Sequence, residues 1–164
     1  MTPEINASVS SSGQEEIRYP DGSLHIMMLQ RPKTGRRNVY HHHWRTRDGE
    51  WHYQALRFGG NRPKLVGDSN HNLFLISTSR DELRITRGTP NATRTSWSWS
   101  TVPLPQRHSC FGDALPDLER WEQDGILSIY THEEPSRITP TKRPTPVSGT
   151  PSPLTVVDYR WAQP

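Results

Sequence analysis

The chain has 164 residues, a formal net charge of +3 and an apolar fraction of only 30%. The low net charge argues against wholesale disorder, and no run nears the ~18 apolar residues of a membrane span. The first twenty residues lack a charged start and an apolar stretch, so no signal peptide is expected; Cys110 stands alone, which excludes an intrachain disulfide framework and a cysteine-based zinc cluster.

Residues 1–13 are small and polar and read as a disordered tail. From Glu15 onward, short apolar-polar alternations are broken by turn pairs, which is strand patterning. Three segments share one layout of strand, tight turn and strand. They are EEIRYP with Asp21-Gly22 and SLHIMML, RPKLVG with residues 68–72 and LFLIS, and DLERWEQ with Asp124-Gly125 and ILSIYT. Asp-Gly and Asn at such turns favour hairpins. A third strand follows each time (VYHHHWR, ELRITRG, LTVVDYRW), and a fourth follows twice (WHYQALRF, WSWSTVPL).

A four-stranded antiparallel unit repeating at about 50 residues is the pattern of a β-propeller blade. The strands of each blade are labelled A to D in chain order. The expected fold is all-β, with blades at about 14–58, 61–104 and 112–161 and no fourth strand in blade three. Nearly three blades cannot close a ring, since propellers use about four to eight. The chain is therefore expected to be the C-terminal portion of a larger propeller; the alternative is a small β-sandwich of about eleven strands. Residues 134–153 are rich in Pro, Thr and Ser and read as a flexible B–C insertion in blade three.

Candidate chemistry is sparse. Thr46-Arg47-Asp48-Gly49-Glu50-Trp51 resembles a degenerate Asp-box, a structural turn in which an Asp caps backbone amides and a Trp packs between sheets. His41 and His43 should point to one side of a strand and Tyr40, His42 and Trp44 to the other, so the three adjacent histidines cannot converge on one metal ion. No metal and no cofactor are expected. His42, within an aromatic layer, and His25 on strand B are either packed core histidines or site residues. Cys110 has no evident partner base for a nucleophilic role.

Charge placement says more. The D–A and B–C loops hold twelve of the twenty basic residues, among them Arg36, Arg37, Arg62 and Arg107. One basic end suggests an anionic ligand drawn in by steering; ordinary solvated loop charge is the plainer reading. Aromatics interleaved with those basic residues are not evident, which argues against nucleic acid.

Several stretches, RYPDGSLHIMM, YHHHWRTRDGEW, GNRPKLVGDSNHNLFLI, FGDALPDLERWEQDGILSIYTHE and LTVVDYRW, together resemble the C-terminal blades of the BNR-repeat family that includes ulvan lyases, which are seven-bladed propellers. The resemblance spans about residues 13–161, apart from the Pro-rich insertion. It implies a secreted parent that binds or cleaves acidic polysaccharide by β-elimination. There a His or Tyr base takes the proton α to a uronate carboxylate, and an Arg neutralises that carboxylate. Such residues belong mainly to the family's earlier blades, so no catalytic residue is assigned and the chain alone is expected to be inactive. Arg62, His42, His25, Arg36, Arg37 and Arg107 are the candidate substrate-binding residues. A non-catalytic carbohydrate-binding propeller and a protein-interaction propeller are the alternatives.

Overall fold

A computed structural model describes residues 14–30, 38–133 and 153–161. The N-terminal segment 1–13, most of the Pro-rich insertion, and Arg36 and Arg37 lie outside the described residues. The fold is all-β, with three antiparallel sheets that are the blades of a propeller. Blade one holds β1 (Gln14–Arg18), β2 (Leu24–Gln30), β3 (Val39–Arg45) and β4 (Trp51–Ala55), in that spatial order. Blade two repeats the order with β5 (Lys64–Gly67), β6 (Leu73–Ser79), β7 (Glu82–Pro90) and β8 (Trp97–Thr101). Blade three holds β9 (Leu115–Pro116), β10 (Ile126–His132) and β11 (Leu154–Arg160), with no fourth strand among the described residues.

The sheets stack in series, not as one facing pair, which sets aside the sandwich alternative. Strand β6 shows why. Its run LFLIST is buried on both faces. Leu73 and Leu75 join Met27, Tyr40, Trp44, Leu65 and Trp97 in a core between blades one and two. Phe74 and Ile76 join Val66, Ile85, Leu127, Ile129 and Val157 in a second core between blades two and three. A central sheet covered on both faces needs a continuous apolar run rather than an alternation. Each fully buried side chain of this kind contributes about 1.5–3 kcal/mol. Polar ties cross the same seams. Tyr40 Oη donates to Asn61 O at 2.6 Å, and Thr78 Oγ1 donates to Gly112 O at 2.9 Å.

One expected strand is a helix. DLERWEQ, read as strand A of blade three, forms α1 (Leu118–Asp124), and the short β9 takes the strand's place beside β10. Asp117 caps the helix by accepting from Arg120 N, and Gly125, at φ 65°, closes it with a bond from its N–H to Trp121 O. The Asp124-Gly125 pair is thus a left-handed helix C-terminus, not a hairpin turn. Leu118 and Trp121 are spaced three apart, a helical spacing rather than a strand alternation, and Trp121 Nε1 donates across the seam to Gly67 O at 2.9 Å.

The C–D turn of blade one also differs in detail from its expected chemistry. Gly49 adopts φ 90°. The amide of Glu50, however, bonds Thr46 Oγ1 at 3.2 Å, while Asp48 sits in solvent beside Arg47. Trp51 packs on the outer face of blade one against Leu24, Ile26 and Met28. In blade two, Trp97 is the tryptophan that packs between sheets.

Candidate functional site

The two ends of the blades carry different chemistry. At the end formed by the D–A and B–C loops, three of the expected basic residues are paired. Arg62 Nη1 lies 3.5 Å from Asp113 Oδ2, and Arg107 Nη1 donates to Glu82 Oε1 at 3.1 Å. Lys64 Nζ donates to Glu15 Oε1 at 2.6 Å. These cations are engaged in local ion pairs and do not converge on a common point with His25 or His42. The B–C connection of blade two is a two-residue hairpin, with Arg80 and Asp81 at φ 54° and 59°.

The opposite end opens into a cleft of about 380 Å³ between blades one and two. Its lining comes from four turns and the strand ends beside them, and includes Asp21, His25, Arg45, Arg47, His71 and Arg94. The turns share one backbone pattern. The amides of Gly22, Gly49, His71 and Arg94 each bond the carbonyl three residues earlier, at 2.9–3.0 Å. All four residues have positive φ, at 88°, 90°, 62° and 56°. Blade one fills this left-handed position with glycine; blade two fills it with histidine and arginine. An L side chain there costs about 1–2 kcal/mol. Side-chain caps hold the unfavourable geometry. Asp68 accepts from the amides of Asn70 and Asn72, and Asn91 Oδ1 accepts from the amides of Thr95 and Ser96.

The consequence is a tight polar cluster across the seam. Tyr19 stacks on His71 with ring centroids 3.9 Å apart. Arg94 Nη1 lies 2.8 Å from His71 Nε2 and 3.3 Å from Asp21 Oδ2. A guanidinium only donates, so His71 Nε2 accepts, and the ring is neutral with its proton on Nδ1. The same Nε2 lies 3.5 Å from Asp21 Oδ2, a pairing that would require Nε2 to carry a proton. One nitrogen cannot serve both partners at once. Burial, followed by the charge of Arg94, holds the His71 imidazole below its ordinary pKa, in agreement with the neutral form. The Asp21 carboxyl is held low by its hydrogen bonds from Ser23 Oγ and Ser23 N.

Behind this cluster lie the two histidines expected from sequence. His25 Nδ1 and His42 Nε2 are 2.9 Å apart and buried, with Trp97 edge-on to both rings. Burial lowers the His25 pKa to about 4 and the His42 pKa well below its ordinary value. His25 lines the cleft; His42 is part of the core behind it. His41 and His43 point the other way, where His41 Nδ1 meets Tyr53 Oη at 2.9 Å. Among the described residues, no three metal-ligating side chains converge.

Sequence reasoning placed His25 and His42 but missed Tyr19, Asp21, His71 and Arg94. A signal was present. His71 and Arg94 each stand three residues after an Asx residue, Asp68 and Asn91, in a segment bounded by strands. A second, larger groove, of about 690 Å³, runs beside β1, β5 and α1 with Arg18, Glu16, Asp68, Glu122 and Asp124 on its walls. It holds no comparable cluster of buried titratable groups. No protein-family model matches the chain, and no curated protein matches it.

Proposed function

We propose that this chain is a portion of a propeller related to the BNR-repeat family that includes ulvan lyases, and that it binds acidic polysaccharide without performing β-elimination alone. The observation that carries the reading is the cleft between blades one and two. There Arg94 and His71 occupy left-handed turn positions where blade one has glycine, and both converge with Asp21. Strained residues cluster at ligand clamps, and here two of them converge on one cleft. Arg47 pairs with Asp48 in the cleft, which leaves Arg45 and Arg94, each held through one nitrogen, as cations with donors to spare, and Glu50 and Asp21 as acceptors for hydroxyls. That mixture suits a sugar bearing both carboxylate and hydroxyl groups.

The same groups do not make an elimination centre. The His71 Nε2 lone pair is taken up by Arg94. Burial, reinforced by Asp68, raises the Tyr19 pKa, so its hydroxyl stays protonated at neutral pH. Neither group is a free base.

The test is a binding titration of the full chain against a polyglucuronate and a neutral glucan, in low salt. Binding of the polyglucuronate alone is expected, with Arg94→Gln weakening it about tenfold, the loss of one charge-assisted contact. Equal binding of the neutral glucan, or no binding of either, overturns the reading. Absorbance from unsaturated uronate is expected to stay flat in the same mixtures; a rise would place the elimination chemistry in this chain.

A further inference from the structure

The inference rests on the binding reading above and assigns its anion contact and its control. Arg94 is anchored by one nitrogen. Its Nη1 meets both His71 Nε2 at 2.8 Å and Asp21 Oδ2 at 3.3 Å. Its Nε and Nη2 have no hydrogen-bond partner among the described residues, and its side chain is 48% exposed. The Nε–Nη2 edge of a guanidinium is the edge that grips a carboxylate through two parallel bonds. A side chain fixed at Nη1 presents that edge already oriented, which lowers the ordering cost of binding.

We propose that the Nε–Nη2 edge of Arg94 receives a single uronate carboxylate in bidentate fashion, and that His71 is the positioning residue that clamps Arg94 for it and releases it on protonation. The clamp works only while His71 Nε2 is an acceptor. Protonated, the same nitrogen donates to Asp21 Oδ2, 3.5 Å away, and repels the guanidinium. Arg94 then keeps only its contact with Asp21, which protonated His71 shares, and the fork loses its fixed orientation. The charged and titratable groups around the ring are Arg94 from the β7–β8 turn, Tyr19 and Asp21 from the β1–β2 turn, His25 from β2, and Asp68 from the ring's own turn. Arg94 opposes protonation, whereas Asp21 and Asp68 favour it.

The experiment is calorimetric titration of the full chain with a glucuronate trisaccharide between pH 7.5 and 5, with near-UV circular dichroism at each pH to confirm the fold. The ligand carboxylate stays ionised over this range, since carboxylates titrate near ~4. Wild-type affinity is expected to fall about tenfold across the range, the equivalent of one charge-assisted hydrogen bond. His71→Gln keeps a non-titrating acceptor at the reach of Nε2, on the left-handed backbone that His71 already occupies. It is expected to retain the pH 7.5 affinity within about twofold and to flatten the profile. Asp21→Asn removes the group that stabilises protonated His71, so its loss of affinity is expected at lower pH than in the wild type. A flat wild-type profile, or an unchanged fall in His71→Gln, overturns the clamp while leaving the binding reading intact. Absence of trisaccharide binding by the wild type at pH 7.5 overturns the binding reading and the clamp with it.

Discussion

The left-handed positions at the cleft end of blades one and two separate what folding asks of a residue from what the cleft asks. Gly22 and Gly49 meet the backbone requirement at no steric cost, and a Cβ there would meet nothing within 4 Å. His71 and Arg94 meet the same requirement against their own side chains. Arg94 is half-exposed and adds little packing, so its exposed pair with Asp21 offsets at most about 1 kcal/mol. The left-handed penalty is of similar or larger size. Arg94→Gly removes that penalty together with the bond to His71 Nε2, so stability is expected to stay within about 1 kcal/mol of the wild type in urea denaturation while polyglucuronate binding weakens by at least about tenfold. A larger loss of stability on this substitution would mean that Arg94 is there to hold the blades together.

At the scale of elements, α1 shows how a short segment is decided at its ends. Leu118–Asp124 is only seven residues long, too short to be helical on its own. Asp117 fixes the start, through a 3.0 Å bond from Arg120 N to its Oδ1, and Gly125 fixes the end. Arg120 adds a tie to blade three through Ser128 Oγ at 2.9 Å and Asp158 Oδ1 at 3.1 Å. Asp117→Ala removes the cap and is expected to cost about 1 kcal/mol, read as a lower urea midpoint with an unchanged slope. An unchanged midpoint would show that docking of Trp121, not capping, holds the helix. The same element marks the limit of what the sequence discloses. Strands such as β2, β6 and β10 were legible because their apolar alternation or run exceeds four residues and ends at a turn. Asp-Gly was ambiguous because it serves both a hairpin and a helix terminus, and only the three-residue spacing of Leu118 and Trp121 distinguishes them. The site was half legible for a related reason. His25 and His42 lie on neighbouring strands of one sheet, so alternation places them on one face. Tyr19, Asp21, His71 and Arg94 meet across a seam between blades, from turns up to 75 residues apart in number. No local pattern encodes that meeting.

Across the whole molecule, the two seams are built from different chemistry, and acid should tell them apart. Among the described residues, no buried histidine lies between blades two and three. The seam between blades one and two buries His25, His42 and His71 as neutral rings. Burial is the leading cause of the lowered pKa in each, from the ordinary 6.5 to about 4 for His25. The unfolded chain therefore takes up these protons near pH 6.5, whereas the folded chain resists them until about pH 4 at His25. Stability is fully present above pH 6.5 and declines as the pH falls through this window, by about 1.4 kcal/mol per pH unit for each excluded proton. Blades packed in series contact mainly their neighbours, so one seam can open while the other holds. Hydrogen exchange followed by mass spectrometry at pH 7 and pH 5, corrected for the intrinsic rate, is expected to show β2, β3 and the turn before His71 losing protection first. Strand β10, packed on the histidine-free core, should retain it, and β6, which faces both cores, should fall between. His42→Phe, which keeps a ring in the seam but cannot take a proton, should narrow the difference between the two pH values. Uniform loss of protection in all three blades at pH 5 would show that the fold opens as a single cooperative unit and that the seams are not separable by charge.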